Sequence, residues 1–346
     1  MAIKRRARDH ADWGGRAVIL VCGGLADSVT ELVCSRIEAC GYPYRLLDQG
    51  RYPDGFTVHR EWSGGPTDGW IAGPGWRVEL DELSGVYARF LGREGRVPLP
   101  DVAPDMLPPI YAEAETGLVA LFEDLPCTVV NRYRGGMSNH SKPYQALLVE
   151  GCGFKVPETL VTNDPAEAQA FFDEHSGDVI YKSLSGIRSI VRRVSYEHLR
   201  RLPLLRQGPA QFQRYIPGDN VRVHVVGEQV FATRVRSDAV DYRYAQVEGK
   251  NCEMAEEALT TEIAGICVRT SRRLELDFAG IDLKITPSGE VFCLEVNPSP
   301  GFAYYELGTG QPVSAALADL LHAGPNRSPA IRSHPQPAAA LSVSGL

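Results

Sequence analysis

Asp282, Glu295 and Asn297, two carboxylates and an amide near the C-terminal end, are the residues whose types and spacing best suit chemistry. The segment Phe278-Ala279-Gly280-Ile281-Asp282-Leu283-Lys284-Ile285 alternates as a strand, with Ile281, Leu283 and Ile285 on one side. Thr286 to Glu290 supply turn residues, and Val291-Phe292-Cys293-Leu294-Glu295-Val296-Asn297 returns. With Pro287 to Glu290 as the loop, Thr286 faces Val291 and counting outward sets Asp282 opposite Glu295. Asn297 shares their face two residues on. Facing β carbons lie only ~5 Å apart, where like charges repel. A hard divalent cation turns that cost into a binding site, because Mg²⁺ takes carboxylate and amide oxygens and keeps the rest of its shell for water and phosphate. The alternative is a solvated hairpin face with incidental acids.

Cationic residues precede this hairpin in a suggestive order. Lys142 stands in the first turn of an expected helix. Lys182 ends a strand and is followed by the small-residue loop Ser183-Leu184-Ser185-Gly186-Ile187-Arg188-Ser189. Such a loop can fold over phosphates through its backbone N–H groups; its plainer reading is a hairpin with exposed basic residues. Arg222 alternates with Val221, Val223 and Val225, and so shares a face with Asn220 and His224, the latter read as a strand-surface residue. Arg234 and Arg236 share a face of the next strand. Two adjacent strands presenting Arg to one side would clamp an anion; the alternative is a solvent-facing sheet. Singly these signals are weak. In series they supply the cationic contacts and the metal that phosphoryl transfer needs.

Alternating β and α elements must position these groups. The run Arg16 to Cys22 reads as a buried parallel strand, with Gly23-Gly24 as a tight turn, a helix from about Asp27 to Cys40 and a strand at Tyr44 to Leu47. Gly64 to Gly75 reads as loop or hairpin, Gly85 to Arg89 and Cys127 to Asn131 as strands, and Tyr111 to Phe122 as helix. A helix starting near Ser141 carries Pro143 in its first turn and an apolar face of Tyr144, Leu147 and Leu148. Strands at 210–216, 221–226 and 230–236 and a helix from about Glu256 to Leu274 precede the hairpin. From about Ala323 the composition turns to Pro, Ala and Ser and reads as a disordered tail.

The chain's 346 residues suffice for two or three small domains or one lobed enzyme. A net charge of −7 argues against a nucleic-acid binder that depends on neutralising phosphates. The eight cysteines show no C-x-x-C pair and mostly lie in apolar runs, which favours a reducing, cytoplasmic setting. The apolar stretch near Ala17 to Cys22 is too short for a signal-peptide core or a membrane span.

From Thr128 to Leu321 the chain resembles the ATP-grasp superfamily, and specifically ligases similar to the ribosomal-S6-modifying (RimK-type) glutamate ligases and the graspetide (microviridin-type) peptide cyclases. Phe278-Ala279-Gly280-Ile281-Asp282-Leu283 and Leu294-Glu295-Val296-Asn297-Pro298-Ser299-Pro300-Gly301 carry the resemblance most strongly. It implies an α/β fold with an N-terminal pre-ATP-grasp domain (1–126), a central lid subdomain (127–208), a C-terminal antiparallel-sheet subdomain that binds metal and nucleotide (209–322), and the tail (323–346). It also implies that Asp282, Glu295 and Asn297 bind Mg²⁺, two ions with Mn²⁺ able to substitute, and that Lys142 and Lys182 contact the phosphates of ATP. Ser185 and Gly186 would lie in the phosphate loop. Gln213-Arg214-Tyr215-Ile216-Pro217-Gly218 resembles the hinge whose backbone reads adenine, with Asn220 beside it. Arg222 resembles the Arg near the transferred phosphoryl group, acting with Lys182 and Arg236 in catalysis. Asp241-Tyr242-Arg243 resembles a D-W-R segment of the peptide cyclases, and Asp241, Arg243, Ser299 and Tyr304 are the substrate-side candidates. The chain departs from the pattern at Asn220, where an Asp is usual, at Arg214, where an acid is common, and in having a single loop glycine.

The activity implied is ATP-dependent joining of a carboxylate to an amine through an acyl phosphate, on small molecules or peptides, with no nucleic acid or membrane involved and a homodimer as the default assembly. The alternatives are macrocyclisation of a ribosomal precursor peptide, suggested by Asp241-Tyr242-Arg243, and a nucleotide-binding regulatory protein without turnover, suggested by Asn220 and Arg214. A nicotinamide-dependent oxidoreductase, resting on Gly23-Gly24, is more distant.

Overall fold

The computed structural model describes residues 17–324 except 64, 66, 91–95, 185–190 and 238–251; Ser185, Gly186, Asp241, Arg243 and the tail from residue 325 lie outside the described residues. Strand β1 (Val18–Gly23) is buried along its whole length because both of its faces are covered. It runs through α1 (Ser28–Ala39) to β2 (Tyr44–Asp48), and Asp27 caps the helix by accepting a 2.8 Å bond from the Thr30 amide. The stretch expected as loop or hairpin contributes to a small antiparallel sheet, β3 (Thr57–Arg60), β4 (Gly69–Gly73) and β5 (Trp76–Glu79). Then β6 (Leu83–Ala88), α2 (Leu107–Asp124) and β7 (Thr128–Val130) complete a parallel sheet ordered β2-β1-β6-β7. The first sheet therefore extends to residue 130, past the expected boundary at 126.

After α3 (Tyr133–Gly136) and α4 (Lys142–Glu150) the chain builds a second sheet. Its elements are β8 (Thr159–Thr162), α5 (Pro165–Glu174), β9 (Val179–Lys182), β10 (Arg192–Arg193), α6 (Tyr196–Leu199) and β11 (Ala210–Arg214), with strand order β10-β9-β11-β8. Phe172, Val179 and Phe212 form its core beneath α5. Because β11 pairs with β8 and β9, the expected division at 208/209 falls one strand too early.

The third sheet comprises β12 (Asp219–Val226), β13 (Gln229–Ser237), β14 (Cys252–Glu256), β15 (Phe278–Ile285) and β16 (Val291–Asn297), antiparallel in the order β14-β13-β12-β15-β16. Helix α7 (Thr261–Arg273) begins five residues later than the expected Glu256, since pairing with β13 holds Cys252–Glu256 as a strand and Thr260 caps the helix. Val221, Val223, Val225, Ile281 and Leu283 line the back of this sheet and pack on Ile266 and Cys267 of α7 and Val149 of α4. Alternation then sends the polar residues between them to the front.

Helix α8 (Ala303–Thr309) covers part of that front, and α9 (Val313–Ala323) packs between the third sheet and the first. Val313, Ala316, Leu317 and Leu321 pack with Ile19 and Val21 of β1 and Val33 and Ile37 of α1. Gly85 permits this close approach, because a β carbon there would lie 2.6 Å from the Leu321 carbonyl oxygen. Among the described residues no helix is long and apolar enough to cross a membrane.

Candidate active site

The strands β15 and β16 set Asp282 directly opposite Glu295, and Gly280 opposite Asn297 on the same face. The route to that register differs from the expected one. Ile285, not Thr286, faces Val291, so the loop is one residue longer. The pairing then shifts between Asp282 and Leu283, where Leu294 is the extra residue of a bulge. The bulge restores the register and turns both Leu294 and Glu295 toward the cleft.

Each acid has its own cation. Arg222 Nη1 lies 2.8 Å from Asp282 Oδ1, and Lys142 Nζ lies 3.6 Å from Glu295 Oε2. Two like charges ~5 Å apart repel by ~3 kcal/mol at an effective dielectric of about 20. The two shorter ion pairs offset that repulsion, so the facing acids are not a bare source of strain. Arg222 is 6% exposed and its Nε donates to His224 Nε2 at 3.4 Å. Burial, aided by the neighbouring Arg222 charge, holds the His224 imidazole well below its ordinary pKa and therefore neutral. His224 is fully buried against Phe278, Phe302 and Tyr305, and is not the strand-surface residue expected, because α8 covers this end of the front face.

Of the expected apolar face of α4, Leu148 packs on the core of the third sheet, but the other two residues face outward. Tyr144 and Leu147 are 55% and 66% exposed, whereas Lys142, Gln145 and Val149 are buried. The reason is polar: Gln145 accepts from the Val296 amide at 2.9 Å and donates to its carbonyl at 2.8 Å, pairing with edge strand β16 between Glu295 and Asn297. Gln145 follows Lys142 by one helical turn, a spacing that could have flagged it. Asn131, just after β7, ties the two strands together at their other end. It accepts from the amides of Asp277 and Phe278 and donates to the carbonyls of Phe278 and Pro298.

The second sheet brings Lys182 to the opposite wall. Its Nζ donates to Gln213 Oε1 at 3.3 Å, and Gln213 Nε2 donates in turn to Thr159 Oγ1 at 3.0 Å. Gln213 thereby orients Lys182. Between the two sheets runs a cleft of ≈ 880 Å³, mouth included, lined by Lys142, Lys182, Gln213, Arg214, Tyr215, Ile216, Asn220, Asp282, Lys284, Leu294 and Glu295 among others. The hinge is already partly committed, since the Tyr215 amide donates to the Asp178 carbonyl. Arg214 is exposed and lies 3.5 Å from Glu158.

Other candidates fall elsewhere. Arg234 opposes Val221 and Arg222 opposes Thr233, so Arg234 and Arg236 face the back of the sheet while Arg222 faces the front. The expected arginine clamp does not form. Arg234 pairs with Glu257 and Asp219, and Arg236 lies 3.8 Å from Asp219 with its side chain 63% exposed. Ser299 follows the hairpin, its amide donating to Asn297 Oδ1 at 2.9 Å and its hydroxyl accepting from Arg89 Nη1 at 3.2 Å. Arg89 also pairs with Asp27 at 2.7 Å, so the strand ends of the first sheet hold the loop that follows Asn297. Burial tends to raise the Asp27 pKa, but bonds from Arg89 and Thr30 outweigh it and hold the carboxyl below its ordinary value. Tyr304 is 45% exposed on α8 and meets Tyr305 edge-on.

Asp282, Glu295 and Asn297 offer oxygen donors only, the set a hard divalent cation prefers, and Asn297 Oδ1 keeps a second lone pair beside its bond to Ser299. The residues present therefore fit Mg²⁺, and the lysines on both walls fit the phosphates of a nucleotide.

The chain is similar to several known proteins. N-acetylaspartylglutamate synthase A from mouse is 27% identical over 61% of this chain, and the human protein 26% over 70%. The matches span 58% and 65% of those two relatives, less than two thirds of either. Among solved structures, the ATP-grasp ligase PsnB complexed with minimal precursor superposes with a TM-score of 0.73 at 27% identity, covering 89% of this chain and 98% of that one. Residues 138–321, more than half of the chain and the span from just before Lys142 into the last turn of α9, match the RimK-like ATP-grasp domain. Two sheets closing on a cleft, with a carboxylate pair and an amide on one wall and lysines on both, are thus accompanied by a matching sequence, and the chain belongs to the RimK-like ATP-grasp family.

Proposed function

We propose that the protein is an ATP-dependent carboxylate–amine ligase. The observation that carries this reading is the facing Asp282–Glu295 pair with Asn297, neutralised by Arg222 and Lys142 and set across the cleft from Lys182. A carboxylate oxygen of the acceptor attacks the γ-phosphorus of ATP, the bond to the β-phosphate oxygen breaks, and ADP departs. The amine nitrogen then attacks the acyl carbon, phosphate leaves with the electron pair of its C–O bond, and the nitrogen loses a proton. Lys142 and Lys182 hold phosphate oxygens, and Arg222, buried beside Asp282, balances charge on the transferred group. Mg²⁺ held by Asp282, Glu295 and Asn297 would neutralise the phosphates and fix their orientation. Arg236 has no part in this arrangement, since it stands on the other face of the sheet.

Within this class, a peptide acceptor is favoured over a free amino acid. The chain spans nearly all of PsnB, a ligase also solved with precursor peptide PsnA2 and AMPPNP at 26% identity, but under two thirds of the N-acetylaspartylglutamate synthases. Intramolecular attack by a peptide amine or hydroxyl would close a ring with net loss of one water from the peptide. The departures at Asn220 and Arg214 remove no metal ligand, so turnover without loss of function is the expectation.

The test is substrate-dependent ADP release from Mg-ATP across carboxylate, amine and precursor-peptide panels, with hydroxylamine to trap the acyl phosphate. Asp282→Asn and Glu295→Gln abolish turnover and leave the circular dichroism spectrum unchanged. Wild-type turnover in both variants, or no ADP and no hydroxamate with any substrate, refutes the reading.

A further inference from the structure

Lys284 lines the same cleft, and the proposed phosphate and metal contacts do not use it. It stands two residues from Asp282 on the same strand and therefore on the same front face, ~7 Å closer to the hinge. It sits directly opposite Asn220, and its Nζ donates to the Gly218 carbonyl at 2.8 Å, which pins the ammonium at the hinge end of the cleft. Asp219, the nearest acid along the hinge, is taken up by Arg234 at 3.0 Å on the other side of the sheet. An ammonium has three N–H donors and no acceptor. The bond to Gly218 uses one, which leaves two for a ligand in the cleft.

The order of groups along the front face sets what that ligand offers. Asp282 and Glu295 mark the phosphate end, and Gln213 to Ile216 mark the base end. The sugar of a nucleotide bound between them lies beside Lys284 and Asn220. We infer that Lys284, with Asn220 opposite, reads the ribose hydroxyls, making this enzyme selective for ribonucleotides over 2′-deoxyribonucleotides. The inference rests on the ligase reading and adds a specificity residue to its nucleotide site. The hydroxyl oxygens accept from the ammonium, and a deoxyribose leaves one of its N–H groups unpaired in a partly buried wall.

The experiment measures dissociation constants of Mg-ADP and Mg-2′-deoxyADP by calorimetry for wild type, Lys284→Met and Lys284→Gln, with thermal unfolding as a check on folding. Wild type binds ADP roughly 10- to 100-fold more tightly than 2′-deoxyADP, as a hydrogen bond from a charged donor predicts. Met retains the length of the side chain without the donors and brings the ratio to within about twofold; Gln, with a neutral donor, falls between. A variant that keeps the wild-type ratio overturns the inference. So does a uniform loss of affinity for both nucleotides, which would assign the ammonium to phosphate. A wild-type protein that binds neither nucleotide overturns the ligase reading itself, whereas one that binds both equally overturns only the role of Lys284.

Discussion

Gly280→Ala tests the architecture of the site at a position outside the charged groups. A β carbon at residue 280 would lie 2.3 Å from Arg222 Nη2, 2.7 Å from its Cζ and 2.6 Å from Pro300 Cβ. Ordinary contact begins at 3.4 Å, so the guanidinium must retreat by about 1 Å. It cannot do so freely, because it is held by Asp282 at 2.8 Å and by His224 at 3.4 Å. Weakening a buried pair by displacing one member costs ~3 kcal/mol, of which ~1 kcal/mol is returned because alanine restricts the unfolded chain. The net loss of stability is thus ~2 kcal/mol. For catalysis, a displacement of this size lowers kcat by roughly 100-fold. The assays are urea unfolding and substrate-dependent ADP release. Gly117→Ala serves as the control: it sits within α2 with no atom inside 4 Å of the added carbon, and gains up to about 1 kcal/mol. A Gly280→Ala protein with wild-type kcat and an unchanged unfolding midpoint would show that Arg222 is not confined as described.

Two further substitutions probe how the site is held. Gln145→Leu leaves the Val296 amide and carbonyl unpaired in a buried edge, which costs ~2–4 kcal/mol, lowers the urea midpoint and loosens Glu295 and Asn297 together. Asp27→Asn breaks the ion pair with Arg89 and costs ~1 kcal/mol at pH 7. The folded Asp27 pKa is depressed, so its contribution is present above the ordinary value of 3.8 and is lost as pH falls through the folded value. Melting temperatures measured from pH 7 to pH 2 should therefore converge for wild type and variant only below pH 3.8, and convergence already at pH 5 contradicts the pairing.

The hairpin was legible because a strand with one buried face must alternate, and alternation fixes which acids meet. The register at Asp282 and Glu295 came out right although the loop was misjudged by one residue, since the bulge at Leu294 compensates. Such a bulge leaves no mark in the alternation on either side of it. The inward face of α4 was legible only at Leu148. Apolar Tyr144 and Leu147 outweigh Gln145 in any hydrophobic count, yet two backbone bonds to Val296 decide the orientation. His224 and the arginines of β13 failed for a related reason. Which face of a strand is covered depends on a helix eighty residues away for His224, and on pairing with β12 for Arg234 and Arg236. Strand membership was equally hidden, because β7 and β11 join sheets through partners remote in sequence.

The placement of α9 has a consequence for how the chain is made. Ile19, Val21, Val33 and Ile37 emerge from a ribosome well before Ala316, Leu317 and Leu321, which cover them. During synthesis the first sheet therefore carries an open apolar face until α9 has emerged. Its folding cannot finish domain by domain from the N-terminus, and it depends on contacts of very long sequence separation. A nascent chain stalled before Val313 would expose this face to chaperones, and release of α9 would be the event that ends their engagement.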